Sequence, residues 1–402
     1  MIKTSRLEVR VDIELPSLVV VDLSHFLVAI NEGGVGVMRQ SINPVSREMD
    51  LSLASLTFDN SDGRFMYDLP NSIIQKNAYS GLRVRTFFRW SNEDGTVSGP
   101  TLVSVGFIDY ITWDVGASTA AFKLYDALNK VRVQEVQPDA VDVVLNASDT
   151  PANNILKALK VPYAGVPVAF IDVASFTAAS SIESAAGILM AHYRLLAGSY
   201  YANVQEALKY GNATLTVGRD GRIKYYQWQP DVVAGSPTLS ERENVLDFSG
   251  SESFSALRNT VRTARGNGAN PHVLQAFAKR STVSLPGLPE RAAPDLPLIY
   301  FSTDAPRNLA ADRRIELTSF PAGTYTATCH LDQTTALIET GQKVRVRVPR
   351  LGFNPKDLLV IEASFSVASS RATFVLYDTA IATLPWLYTN NSQQLDNDQL
   401  IY

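Results

Sequence analysis

The chain has 402 residues, of which 46% are hydrophobic and 19% charged. This length exceeds what one hydrophobic core normally supports, so two to four domains are predicted. A formal net charge of -4 argues against nucleic-acid binding as the main task, because affinity for phosphates comes from concentrated Lys and Arg. The single cysteine, Cys329, excludes an intrachain disulfide and favours synthesis in a reducing compartment. Apolar runs are too short for a membrane span, so none is predicted.

Residues 1–130 carry short β-branched and aromatic runs between turn signals, which predicts a first β-barrel domain. The turns place glycine where a tight turn needs a positive φ, as in Asp59–Gly63. This segment also has some likeness to a calcium loop. That loop has its glycine at the sixth position, whereas Gly63 is fifth, so a simple turn is the preferred interpretation.

Residues 131–250 change to helical spacing and predict an α+β insert domain. Thr150 followed by Pro151 predicts an N-cap and a first helical turn, and this helix should end before Pro162. Two more helices and a hairpin that turns at Asp220 and Gly221 are predicted over residues 183–196, 203–210 and 214–226.

Residues 251–385 predict a second β-barrel domain. Its strands are expected over residues 257–264, 298–302, 314–319 and 343–348. Within it, residues 266–297 contain five prolines and several glycines, which predicts a long loop or an arm that contacts a partner. Residues 386–402 predict an extended C-terminal tail.

Three segments of the first domain return in the same order in the second: Gly81–Arg85 as Gly341–Arg345, Phe107–Asp109 as Val360–Glu362, and Phe122–Asp126 as Phe374–Asp378. This alignment places Ile108 opposite Ile361. The distance from the glycine to the tyrosine is 44 residues (125 − 81) in the first copy and 36 (377 − 341) in the second, which predicts extra residues in the turn at 92–98. The repeat predicts duplication of one barrel unit.

With these segments the sequence resembles the tail hub proteins at the distal tip of long-tailed bacteriophages and of related contractile machines. The resemblance covers most of the chain. It is carried by Ala54–Phe65, by the Gly106–Asp109 hairpin leading to Leu124–Asp126, by the mid-chain helix with the Asp220–Gly221 hairpin, and by Gly341–Arg350 before Phe374–Asp378. It implies two similar barrels and an α+β insert per subunit, in a homotrimeric ring of six quasi-equivalent barrels.

The resemblance also implies a place and partners. The place is the distal tail tip of a virion, after synthesis in the cytoplasm of a bacterial host. The partners are further copies of the chain, a distal tail or tube protein ring above, tip, fibre or central spike proteins below, the C-terminus of a tape measure protein in the lumen, and passing DNA without sequence specificity. Three duplicated barrels present six similar surfaces, so the ring would join a six-fold tube to a three-fold tip.

A basic strip is the one candidate site. Lys343, Arg345 and Arg347 alternate with valines, which places three cations on one strand face, and Arg83 and Arg85 repeat the pattern in the first copy. A solvated outer face is one interpretation, since edge strands carry Lys and Arg to block unwanted pairing. A subunit contact or a strip along the DNA channel is the other.

No catalytic, cofactor-binding or metal site is predicted, and the chain is expected not to be an enzyme. Four histidines and one cysteine offer few metal ligands, and the adjacent Cys329 and His330 should point to opposite faces of a strand. Neither a Gly-x-Ser-x-Gly motif nor a phosphate-binding Gly-x-x-x-x-Gly-Lys motif occurs.

Two other functions stay open. A receptor- or glycan-binding tail module would use an aromatic platform that includes Trp113, Trp228 or Trp386. A cell-wall hydrolase would use a pair of carboxylates, because spacing in the sequence does not reveal the distance between two carboxyl groups in space.

Overall fold

The computed structural model describes residues 6–378 except 18, 33–35, 44–47, 67–68, 70–71, 75–78, 92–95, 137–142, 145–148, 161, 192, 228–235, 254–257, 268–269, 275–277, 282–289 and 317–321. The N-terminal part is all β: β1 (Arg6–Glu14), β2 (Val20–Asp22), β3 (Leu27–Asn31), β4 (Met38–Ile42), β5 (Met49–Leu53), β6 (Ser55–Asp59), β7 (Arg83–Ser91), β8 (Thr101–Asp114) and β9 (Thr119–Tyr125).

The middle part mixes helices with short strands: α1 (Asn129–Arg132), β10 (Glu135–Val136), β11 (Val143–Val144), α2 (Pro151–Leu159), α3 (Val173–Ala185), β12 (Arg194–Leu195), β13 (Gly198–Ser199), α4 (Tyr200–Gly211), β14 (Ala213–Val217) and β15 (Ile223–Gln227). The C-terminal part returns to strands around one helix: β16 (Thr238–Ser240), β17 (Val245–Ser253), β18 (Thr260–Asn267), β19 (Asn270–Leu274), β20 (Ala278–Ser281), β21 (Leu296–Leu298), α5 (Asp304–Glu316), β22 (Ala322–His330), β23 (Lys343–Val348), β24 (Phe353–Ser366) and β25 (Arg371–Tyr377).

The first sheet has seven strands in the order β2-β1-β7-β8-β9-β6-β3. Side chains alternate along its strands: in β7, Val84, Thr86, Phe88 and Trp90 are buried and the other residues are half-buried, and Val84 lies in the core of this sheet. The two edge strands, β2 and β3, are separated by only five steps of the chain, at most about 19 Å. A flat seven-stranded sheet would hold its edges about 29 Å apart, so this sheet curls into a barrel.

The second sheet follows the same plan. Its main path is β16-β23-β24-β25-β22-β17, and its edge strands β16 and β17 are again separated by only five steps. The connecting turn bonds to both sides: the Glu241 N–H donates to the Arg347 carbonyl on β23, and the Asn244 carbonyl accepts the His330 N–H of β22. The predicted fold class, mainly β with two related barrels and a helical insert, is confirmed.

The sheets cross the predicted domain limits. Strand β4 pairs with β24, so the β4–β5 hairpin of the N-terminal part joins the second sheet. That sheet also begins at Thr238, before the predicted limit at residue 250. In addition, the segment from β18 to α5 packs on the insert: the rings of Tyr210 and Phe301 lie 4.9 Å apart, and the Ala191 N–H donates to the Tyr300 carbonyl at 2.7 Å.

In the insert, the helix cap and the hairpin form as predicted, whereas one predicted helix does not. The Thr150 side chain caps α2 by accepting the Asn153 N–H, and β14 and β15 form the predicted hairpin. The helix expected over residues 183–196 was wrong. Helix α3 ends at Ala185, before Gly187, whose φ of +70° does not continue a right-handed helix.

Two predictions for the C-terminal part need correction. The simple loop that was one alternative for residues 266–297 was wrong, because β19, β20 and β21 lie there, whereas the arm that contacts a partner stays a prediction. Pro271 and Pro297 fit because, within the described residues, their strands pair on one side only, where a missing N–H costs little. The strand expected over residues 314–319 begins inside α5, whose buried Ala311 and Ile315 follow helical spacing.

Candidate assembly surface

The two barrels are structural copies. Strands β7, β8, β9, β6 and β3 correspond in order to β23, β24, β25, β22 and β17. In each copy the register shifts in the last strand pair of this order: between Leu27 and Ala29 where β3 pairs with β6, and between Val245 and Asp247 where β17 pairs with β22. Since bulges are specific local features, their coincidence identifies one duplicated unit.

A second pair of matching bulges, in β8 and β24, corrects the sequence alignment by one residue. In the first copy the β8–β9 register shifts between Ile108 and Tyr110, and in the second the β24–β25 register shifts between Val360 and Glu362. Ile108 therefore corresponds to Val360 and not to Ile361. The offset is 252 residues (360 − 108, and equally 377 − 125), and the eight-residue difference between the copies lies before it, in the β7–β8 connection.

The second-copy half of the basic strip has one buried and two exposed cations. Lys343 is buried at 9% exposure, whereas Arg345 and Arg347 are exposed on the same face of β23. The Arg345 Nε lies 3.1 Å from Asp357 Oδ1 on β24. Only the outer part of this half therefore faces solvent.

The first-copy half has an internal role. Arg85 Nη2 donates to Glu14 Oε2 at 2.5 Å, Arg83 Nη1 lies 3.7 Å from the same carboxylate, and Arg83 Nη2 donates to the Asp220 carbonyl at 3.0 Å. Burial, and then the charge of Arg85, lower the pKa of Arg83. Arg83 therefore attaches the β14–β15 turn to the first barrel and Arg85 pairs with β1 of the same barrel, so the two halves of the strip have different partners.

The sequence missed the contact that joins the two copies. The Val37 N–H donates to the Phe365 carbonyl at 2.6 Å, and the Arg39 guanidinium donates to both Glu362 oxygens at 2.9 and 3.1 Å. Local patterning carries no information about a partner strand more than 300 residues away. We call this hairpin, β4–β5, the arm of the first copy.

A second contact joins the copies through an aromatic side chain. The indole N–H of the buried Trp90, on β7, donates to the Leu331 carbonyl at the end of β22 at 3.0 Å. Phe88 and Trp90 pack into the core of the second barrel, with their rings 6.2 Å apart. The two barrels are therefore in direct contact within one chain.

The groups considered for chemistry are occupied by structural roles. The Asp59–Gly63 segment is a turn, in which the Gly63 N–H donates to the Asn60 carbonyl at 2.9 Å. Cys329 is fully buried, and burial raises the pKa of its thiol to about 12. Among the residues that the structure describes, no three His, Cys, Asp or Glu side chains group around a possible metal position.

One buried acid stands out in the insert. Glu183, on α3, accepts the Tyr225 hydroxyl at 2.6 Å and the Ala152 N–H at 2.9 Å. Its burial raises the pKa of the carboxyl group to about 7, although both hydrogen bonds act in the opposite direction. This acid connects the N-terminus of α2 to β15 and lies within the hydrophobic core of the insert.

The predicted aromatic platform is only partly visible. The half-buried Trp113 donates its indole N–H to the Phe65 carbonyl at 2.8 Å, which orients it within the first barrel. Trp228 and Trp386 lie outside the described residues. Among the helices of the described residues, none is long and apolar enough to cross a membrane.

The architecture is thus a duplicated β-barrel with an α+β insert. Among solved structures it is similar to the 43 kDa tail protein of prophage MuSo2 from Shewanella oneidensis, with 12% identity and a TM-score of 0.53 over 93% of this chain and 99% of that one. It is also similar to prophage tail protein gp18 from Listeria monocytogenes EGD-e, with 9% identity and a TM-score of 0.50 over 94% and 97%.

The sequence matches no protein-family model and no curated protein sequence. At such low identities the structural likeness concerns the fold alone. The chain therefore has a fold found in prophage tail proteins, and the resemblance inferred from the sequence is confirmed at that level.

Proposed function

We propose that the chain is a structural subunit of a phage tail tip, a hub in which three copies form a ring of six similar barrels. The observation that carries the proposal is the duplication itself, with matching strand order and matching bulges in both copies. A closed ring of three duplicated units presents six similar surfaces while keeping three-fold symmetry. Such a ring suits a junction between a six-fold tube and a three-fold tip.

The direction of the contact between the copies supports a ring. The first copy contacts the second through its own arm, and among the described residues the second copy makes no matching strand pair with the first, so the contact is head-to-tail. Head-to-tail contacts close into rings when the rotation between units fits. In such a ring, tube proteins would lie above, tip, fibre or spike proteins below, and a tape measure segment or DNA in the lumen.

Arg347 is the best-placed residue of the strip for a subunit or channel contact. It is exposed on β23, and Arg345 beside it already has Asp357 as a partner. We assign the exposed part of the strip to assembly and the chain to a structural rather than a catalytic role.

The test is the mass of the purified chain by light scattering, followed by negative-stain imaging. We expect a particle of three times 43.9 kDa, with a central hole and a pseudo-six-fold outline. Arg347→Glu should lower the fraction of rings, whereas Arg371→Glu, an exposed arginine on β25, should not. A chain that stays monomeric at every concentration would contradict the ring, and rings unaffected by Arg347→Glu would remove the strip from it.

A further inference from the structure

The two copies differ at one strand edge. In the second copy, β24 pairs with β23 along its first half and with the arm strand β4 along its second half, Glu362 to Phe365. In the first copy, β8 pairs with β7 only up to Phe107. Beyond Phe107, β8 has β9 on one side, and no strand of the described residues pairs with its other side.

Side-chain exposure follows this difference. Asp109, Tyr110 and Thr112 of β8 are exposed, Tyr110 at 49%. Two of their counterparts at the 252-residue offset are less exposed: Ile361 is 8% exposed, and Glu362 is engaged by Arg39. Within the described residues, an arm strand thus covers this surface in the second copy, and no strand covers it in the first.

The open side includes backbone groups. The Phe365 carbonyl accepts the Val37 N–H, so Phe365 faces the arm, and so does Ala363 two residues earlier, because alternate residues of a strand point to the same neighbour. The counterpart of Ala363 is Ile111 (363 − 252). Its N–H and C=O therefore point toward the open side, where a strand of another molecule would pair with them.

The occupant follows from the duplication. In the first copy the arm lies between β3 and β6. Between the counterparts of these strands, β17 and β22, the second copy has a larger segment that contains the antiparallel strand pair β18 and β20. We call β18 to β20 the second arm. Within the described residues, β18, β19 and β20 pair only with strands of their own segment, so this second arm does not cover β8 of its own chain.

Charge supports the same occupant. The open edge carries the exposed carboxylates Asp109 and Asp114, and the sequence of β20 includes Lys279 and Arg280. Opposite charges across a strand pair stabilise the pair. Pairing between the arm of one chain and the β8 edge of the next repeats the internal contact and continues it around a ring.

We propose that residues 109–112 of β8 form the docking edge for the second arm, β18–β20, of a neighbouring copy of this chain. This inference rests on the proposed ring and identifies the contact that closes it. Contacts within a chain and contacts between chains then alternate around the three subunits. In each contact, an arm pairs with the second half of a long barrel strand, β24 within a chain and β8 between chains.

Hydrogen exchange of the full chain tests the contact. Peptides that contain Ile111 should exchange about tenfold or more slowly in the oligomer than in the dilute monomer. The counterpart peptide around Ala363 should exchange equally slowly in both states, because its own arm covers it. An oligomer in which Ile111 remains as fast as in the monomer overturns the docking edge but leaves the ring standing, whereas absence of any oligomer overturns both.

Crosslinking provides the second measurement. Tyr110→Cys chains mixed with Arg280→Cys chains should form a covalent dimer with a short thiol crosslinker under conditions in which the ring forms. Val28→Cys, at an exposed position of β3, should not replace Tyr110→Cys, and the native Cys329 is buried and so should not react. Rings that form from these mixtures without the crosslink would contradict the proposal.

Discussion

Gly81 and Gly341 occupy the same position in the two barrels. The Gly81 N–H donates to the Ile108 carbonyl at 2.7 Å, and the Gly341 N–H donates to the Val360 carbonyl at 2.8 Å. Both residues have positive φ values, +80° and +89°. Each glycine lies in the turn just before a strand of its barrel, β7 after Gly81 and β23 after Gly341.

We expect Gly341→Ala to reduce the free energy of unfolding by about 1–2 kcal/mol, because an L-residue at this φ is strained. A Cβ here would also lie 3.2 Å from the Tyr226 ring, whereas at Gly81 the nearest atom is 3.6 Å away, so Gly81→Ala should cost less. Urea denaturation measures both. Gly99→Ala, where nothing lies within 4 Å of the added Cβ, should stay within about 0.5 kcal/mol of wild type.

The buried Glu183 makes stability depend on pH. Its folded pKa of about 7 lies above the ordinary value of 4.5, so the folded state binds the extra proton between these values. Stability should therefore fall as pH rises from about 4.5 to about 7, and then level off. Glu183→Gln imitates the protonated acid and should match wild type near pH 4 but exceed it by on the order of 3 kcal/mol at pH 8.

Denaturation of wild type and Glu183→Gln across this range gives the difference directly. Glu206→Gln, which removes a carboxylate paired with Lys209 on the surface, is the control for the loss of one carboxyl group. A constant difference between wild type and Glu183→Gln at all pH values would show that the acid titrates normally.

The Arg39–Glu362 pair should make a small contribution to the arm contact. The two side chains are 43% and 23% exposed, so solvent screens their attraction despite the bidentate geometry. A double-mutant cycle with Arg39→Ala and Glu362→Ala should give a coupling free energy of about 0.5 kcal/mol. A coupling near zero would mean that backbone pairing and apolar burial alone hold the arm.

Trp90→Phe should destabilise the chain by about 1–3 kcal/mol, because the buried Leu331 carbonyl loses its indole donor. The loss should be seen in thermal or urea unfolding. Tyr110→Phe, at an exposed position, serves as the aromatic control and should be nearly neutral in the monomer. Equal stability of wild type and Trp90→Phe would show that water replaces the donor.

The sequence predicted what is determined locally. The Thr150 cap, the hairpin around Gly221 and the duplicated strand segments follow from turn chemistry and side-chain alternation over a few residues. Even the extra length of the β7–β8 connection followed from the spacing. The alignment slipped by one residue only because a bulge inserts a residue that has no partner across the strand pair.

What the sequence did not predict depends on distant contacts. Arg83 and Arg85 look like the exposed half of a strip until Glu14 and the Asp220 carbonyl are placed beside them. Pro271 argues against a strand unless one side of that strand has no ladder partner. In these cases the deciding partner lies far away in the sequence, so patterning over short windows carries no signal of it.

The arm also determines the order in which the chain can fold. Arg39 and Glu362 are 323 residues apart, so during synthesis the hairpin leaves the ribosome long before the strand that it covers. Until then, Met38, which is buried in the core of the second barrel in the finished structure, has no such core to pack against. Such long-range pairing slows folding and leaves an unpaired, aggregation-prone strand edge exposed in the nascent chain. A chain cut short before β22 should therefore aggregate rather than yield an isolated first barrel.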